Sequence, residues 1–100
     1  MTDNEKIYIY YMAKIELYDR TLTDMRSPYD STEAFITDKF SRRLSNKYAI
    51  TLSQKLHIGH IKKIINPSLL YMSAQWYIDM FNNLRENNEL DFIEKYLENI

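Results

Sequence analysis

Apolar and polar positions follow a helical period along most of the chain. Ile7, Tyr11, Ile15, Tyr18, Leu22 and Met25 recur at steps of four and three, which is one face of an α-helix, and Tyr8 and Met12 widen it. The run from Ile7 to Met12 is β-branched and aromatic, so a strand competes there. The pattern continues for three more turns without a breaker, and this favours one long helix over residues 3–25. Thr2 and Glu5 have the spacing of a capping box that would start it. Ser27-Pro28 would end it, because the residue before a proline is driven out of the helical region.

A second helix is expected from the cluster Asp30-Ser31-Thr32-Glu33, with Phe35, Ile36, Phe40 and Leu44 as a narrow apolar stripe. It should run to about Ser45 or Lys47. Thr51 and Gln54 repeat the capping-box spacing and predict a third start. Beyond it Leu52 and Leu56 share one face, whereas Ile58, Ile61 and Ile65 point nearly the opposite way. The phase changes at Gly59, the single glycine, which predicts a bend over residues 57–59. Asn66-Pro67 is another start, and from there to Glu86 the polar residues Gln75, Asp79, Asn82 and Glu86 form one thin stripe. A helix apolar around most of its circumference belongs at the centre of a bundle. Leu90, Ile93, Leu97 and Ile100 mark a last amphipathic helix. The expected fold is all-α: one domain over residues 1–100, a compact bundle of four to five helices, with the helix at about 67–86 most buried.

Composition supports this reading. One Gly and two Pro are too few for the turns of a small sheet protein. The chain has no Cys, which excludes a disulfide framework, thiol catalysis and thiolate metal sites. No apolar run approaches the roughly 18 residues that span a bilayer, and no secretory leader is evident. A cytoplasmic protein is expected. Ile, Asn, Lys and Tyr have AT-rich codons, and their abundance points to an AT-rich genome such as that of a phage or mobile element.

Charge adds the main functional clue. The chain carries 14 acidic and 13 basic residues, yet residues 39–78 contain no Asp or Glu. That stretch holds Lys39, Arg42, Arg43, Lys47, Lys55, Lys62 and Lys63, with His57 and His60 among them. Lys and Arg on one face neutralise phosphates and give salt-dependent, largely sequence-independent binding. Tyr48, Tyr71 and Trp76 lie in or beside the stretch and could stack on bases. The competing reading docks the basic face on the acidic first and last helices.

Other chemistry is thinly supported. Leu52-Ser53-Gln54-Lys55-Leu56-His57-Ile58-Gly59 resembles the first helix and turn of a helix-turn-helix motif. Gly59 follows Ile58 instead of preceding it, however, and the would-be recognition helix is under two turns long. His57 and His60 have a metal-compatible spacing, but the stretch has no carboxylate or thiolate to complete a shell, and the lysines would repel a cation. Glu16 with Asp19, and Glu94 with Glu98, are ordinary outer faces that Arg20 and Lys95 can pair with locally. No phosphate-cradling glycine loop or catalytic constellation is present, so no enzyme, cofactor or metal is expected.

The expected function is therefore a non-enzymatic, nucleic-acid-associated regulatory or accessory protein. Its phosphate-binding residues would be Arg42, Arg43, Lys47, Lys55, His60, Lys62 and Lys63. The alternative is a small protein-binding inhibitor or adaptor, a phage or mobile-element antagonist of a host or defence enzyme. That protein would act through its acidic terminal helices and through Tyr10, Leu17 and Tyr29, Tyr10 and Leu17 lying off the main stripe of the first helix. Expected partners are nucleic acid or an acidic protein surface, with a homodimer as a further case, and neither a membrane nor a small-molecule substrate.

Overall fold

The computed structural model describes residues 1–24 and 32–99, and the side chains of 1–22 and 42–99. Helix α1 (Asp3–Asp24) starts with the capping box that its sequence predicts. The Glu5 N–H donates to the Thr2 hydroxyl at 3.2 Å, and the Thr2 N–H donates to the Glu5 carboxylate at 3.1 Å. These two bonds satisfy donors that a bare helix end leaves open. The Thr2 N–H first, and the Thr2 hydroxyl second, also hold the Glu5 carboxyl below its ordinary pKa.

Helix α2 (Thr32–Leu56) is 25 residues long and does not end near Ser45 or Lys47. Thr51 and Gln54 lie inside it, so the third capping box does not form. Packing explains the continuity, because Ser45, Leu52 and Leu56 fall on one side and are all buried. The Ser45 hydroxyl donates to the Asp19 carboxylate and ties α2 to α1. The chain then turns through His57, at φ 55° and ψ 43°, into α3 (Ile58–Ile64). The bend falls where it is expected, but on His57 rather than on the glycine. Gly59 sits within α3 at an ordinary backbone angle.

Residues 66–86 form two helices, not one. Pro67–Tyr71 is a short 3-10 helix capped by the Asn66 side chain, which accepts from the Ser68 N–H at 3.1 Å. A fresh start follows at Ser73, whose hydroxyl accepts from the Trp76 N–H at 3.1 Å and caps α4 (Ala74–Glu86). The Tyr77 hydroxyl reaches back to the Leu69 carbonyl and fastens the two pieces together. Helix α4 ends in a Schellman motif with Asn88 left-handed at φ 59°. The Glu89 N–H donates to the Leu84 carbonyl at 2.9 Å, and the Asn88 N–H to that of Arg85 at 3.0 Å. Helix α5 (Asp91–Glu98) closes the chain.

The result is an all-α bundle, with five α-helices among the described residues, 46 × 26 × 26 Å. Helix α4 occupies the centre expected of it, since Tyr77 and Phe81 are the largest fully buried side chains. Helix α1 shares that position, packing on α4, α2 and α3. Tyr8, Ile9 and Tyr10 are therefore all buried, although three consecutive helical residues sweep about 200° of the circumference. Tyr8 meets Tyr77 edge-on at 6.0 Å, and Tyr10 meets Phe81 at 5.8 Å. Lys6 pairs with Glu89 at 3.2 Å and joins α1 to the turn before α5. Among the described residues, no helix is long and apolar enough to cross a membrane.

Candidate nucleic-acid interface

The seven cationic candidates all lie on α2 and α3, and all are exposed. Helix α2 buries Ser45, Leu52 and Leu56, so its opposite side faces solvent. Arg43 and Lys47 are one turn apart on that outer side, and Ile50 and Gln54 continue the same stripe. Arg42 lies about 100° from Arg43, and Lys55 about 80° from Lys47, each on a flank. The run from Arg42 to Lys55 covers about 20 Å of helix. On α3, Ile58 and Ile61 turn inward, and His60 and Lys63 point outward, with Lys62 on a flank. The structure thus presents a dispersed cationic surface along two consecutive helices rather than one tight cluster. The ion pairs Lys6–Glu89 and Arg20–Glu16 draw their cations from α1.

The aromatic candidates divide. Tyr48 stacks on Tyr18 with centroids 4.2 Å apart and planes 14° apart, so its face is taken. Burial, with Tyr18 beside it, raises its hydroxyl pKa. Trp76 is half-buried and sits edge-on to Tyr77 at 5.5 Å. Tyr71 is 85% exposed and is the aromatic ring free to stack.

Tyr10 and Leu17, read from sequence as an outward second side of α1, face their own chain. Tyr10 is 5% exposed against Phe81, and Leu17 is half-buried against the core. The second buried side exists because α1 is packed on several sides. Tyr29 lies outside the described residues. Helix α3 is seven residues long and buries Ile58 and Ile61, so it resembles a bracing segment more than a groove-reading helix. Among the described residues, no group of three metal-ligating side chains forms.

One feature escaped the sequence. A cleft of about 660 Å³ opens between the start of α1, the α2–α3 joint and α5. Ile7, Leu56, Ile61, Phe92, Ile93 and Tyr96 supply its apolar walls, and Asn4, His57 and His60 its polar edge. The available hint was on α5, where Phe92 and Tyr96 stand one turn apart beside the core stripe of Ile93 and Leu97. They make that apolar face wider than burial requires.

No known family, curated protein or solved structure matches this chain.

Proposed function

We propose that the protein is a non-enzymatic, nucleic-acid-associated accessory protein of the cytoplasm that binds phosphates along the outer side of α2 and α3. One observation carries the reading: every cation of the acid-free stretch that the structure describes is exposed, from Arg42 to Lys63. A dispersed surface of this kind suits backbone contacts and low sequence preference. Tyr71 adds a platform for an unpaired base. The AT-rich codon signature agrees with a phage or mobile-element origin, in which case it would act in the host cytoplasm.

The test is fluorescence anisotropy of a mixed-sequence duplex and a single strand across a salt series. Four phosphate contacts, by Arg43, Lys47, Lys62 and Lys63, predict a log–log slope near −3.6 on duplex, or about 50-fold weaker binding for a threefold rise in salt. Replacing those four residues by Glu should abolish binding while circular dichroism stays helical. Tyr71→Ala should weaken single-strand binding and leave duplex binding unchanged. Binding that survives the fourfold reversal, or none by wild type at low salt, refutes the proposal.

A further inference from the structure

The cleft beside the α2–α3 joint shares His60 with the edge of the phosphate surface but has its own apolar chemistry. Its volume, about 660 Å³, lies within the range of small-ligand sites, roughly 300–1,000 Å³. Nine residues line it, far short of the roughly 20–30 per side of a standard protein interface. Its size therefore favours a small molecule over a protein. Phe92 and Tyr96 are 39% and 46% exposed on its wall, an apolar surface that the described residues cover only in part.

The polar edge specifies the charge of the guest. The lining contains no Asp, Glu, Lys or Arg. It does contain both histidines of the chain. Among the described residues, neither imidazole and not the Asn4 amide has a hydrogen-bond partner, so three donors stand open at one edge. The left-handed backbone of His57 sets its side chain at the cleft. The histidine edge belongs to the acid-free stretch, with Lys55, Lys62 and Lys63 close by in sequence. On the α1 side Glu5 is engaged by Thr2, and Asp3 is the remaining carboxylate of that first turn. On α5 Glu94 lies about 160° from both Phe92 and Tyr96, Glu98 about 120° and 160° from them, and Asp91 about 100° and 140°. The open donors thus favour a negative group at the histidines, and the apolar walls favour an uncharged body between α1 and α5.

We propose that this cleft binds a free amphiphilic monocarboxylate, its alkyl or aryl body between α1 and α5 and its carboxylate on His57 and His60. The sequence had suggested no small-molecule partner, and the cleft supplies one.

Octanoate and 1-octanol are suitable probes, because they share an alkyl body and differ in charge. The two histidines give two imidazole signals in a carbon–proton correlation spectrum. Octanoate should shift both saturably, leave the Tyr71 ring signals unmoved and raise the melting temperature. Octanol should bind about tenfold more weakly. His60→Gln should bring octanoate down to the octanol level, and Phe92→Ser with Tyr96→Ser should weaken both. All three substitutions are at exposed positions, so the fold survives them. The proposal is overturned if octanoate leaves the imidazole signals unmoved, if it binds no better than octanol, or if the Phe92 and Tyr96 variant binds like wild type. It is equally overturned if the signals respond only to phosphatidylglycerol vesicles. Loss of nucleic-acid binding has no bearing on any of these results.

Discussion

Moving the single glycine two residues back should stabilise the protein. His57 is left-handed, which costs an L-residue about 1–2 kcal/mol, and the lower figure suits histidine, one of the more tolerant residues there. Gly59 is the second residue of α3 and has an ordinary backbone angle. A Cβ built on it meets nothing within 4 Å. Alanine at an interior helical position is worth about 1 kcal/mol over glycine, and near a helix end about half of that is reasonable. The double variant His57→Gly with Gly59→Ala keeps one glycine, so the unfolded-chain entropies cancel to first order. The helix gain already contains the unfolded-chain term, so the net is about 0.5–1 kcal/mol, or about 2–8 °C in melting temperature for a chain of this length. Thermal unfolding followed by circular dichroism measures this directly. The single variants assign it: Gly59→Ala should be stabilising by itself, and His57→Gly close to neutral, since there the gain is offset by a more flexible unfolded chain. A loss of stability in Gly59→Ala would mean that the chain bends at the glycine, and the reasoning would be wrong.

Three further outcomes are expected. Burial, helped by the charge of Glu94 and by Tyr48, pushes the Tyr10 hydroxyl up to about 12, so the folded state holds this proton more tightly than the unfolded chain. The Tyr10 contribution should be level below pH 10 and fall between pH 10 and 12, by about 2–3 kcal/mol. Tyr8, raised further by its burial and by Tyr77, adds to the loss; denaturant titrations of Tyr10→Phe should show a shallower fall, and an unchanged one refutes the assignment. Thr2→Ala should cost about 1 kcal/mol in urea unfolding by removing the cap of α1. The same change should reduce but not remove a small loss of stability as pH falls through the carboxylate range, because the backbone N–H of residue 2, the main group holding Glu5 below its ordinary value, is retained and only the hydroxyl is lost. Phe81→Ala should cost about 3–5 kcal/mol, since a fully buried ring that contacts Tyr10 and lies under Lys14 and Arg85 leaves a cavity.

Features set by near neighbours were legible in the sequence. The Thr2–Glu5 box, the Asn66-Pro67 start and the bend near His57 each depend on a few adjacent residues, and each is present. Long-range packing was not legible. Thr51 and Gln54 have the spacing of a start signal, but Leu52 and Leu56 are held against the core, and the helix runs through them. Ser73 reads as one polar position in an apolar run, yet its hydroxyl restarts the chain at α4. The stripe on α1 from Ile7 to Leu22 is mostly half-buried, and Tyr8, Ile9, Tyr10 and Ala13 are the residues in the core. Periodicity finds the side that faces one neighbour, and α1 has three. The basic stretch was visible as composition, whereas the cleft needed Asn4, His60 and Tyr96 to be brought together from opposite ends of the chain.

The placement of α1 also bears on how the protein is made. Its buried side is synthesised first, and the residues that cover it come last: Tyr10 waits for Phe81. At about 5–20 residues per second, those 71 residues take roughly 4–14 s to add. Through that interval an aromatic helix has only α2 and α3 to lean on. Production of this protein should therefore depend on what shields a nascent chain, and shortened chains that stop before α4 should be captured by chaperones or aggregate.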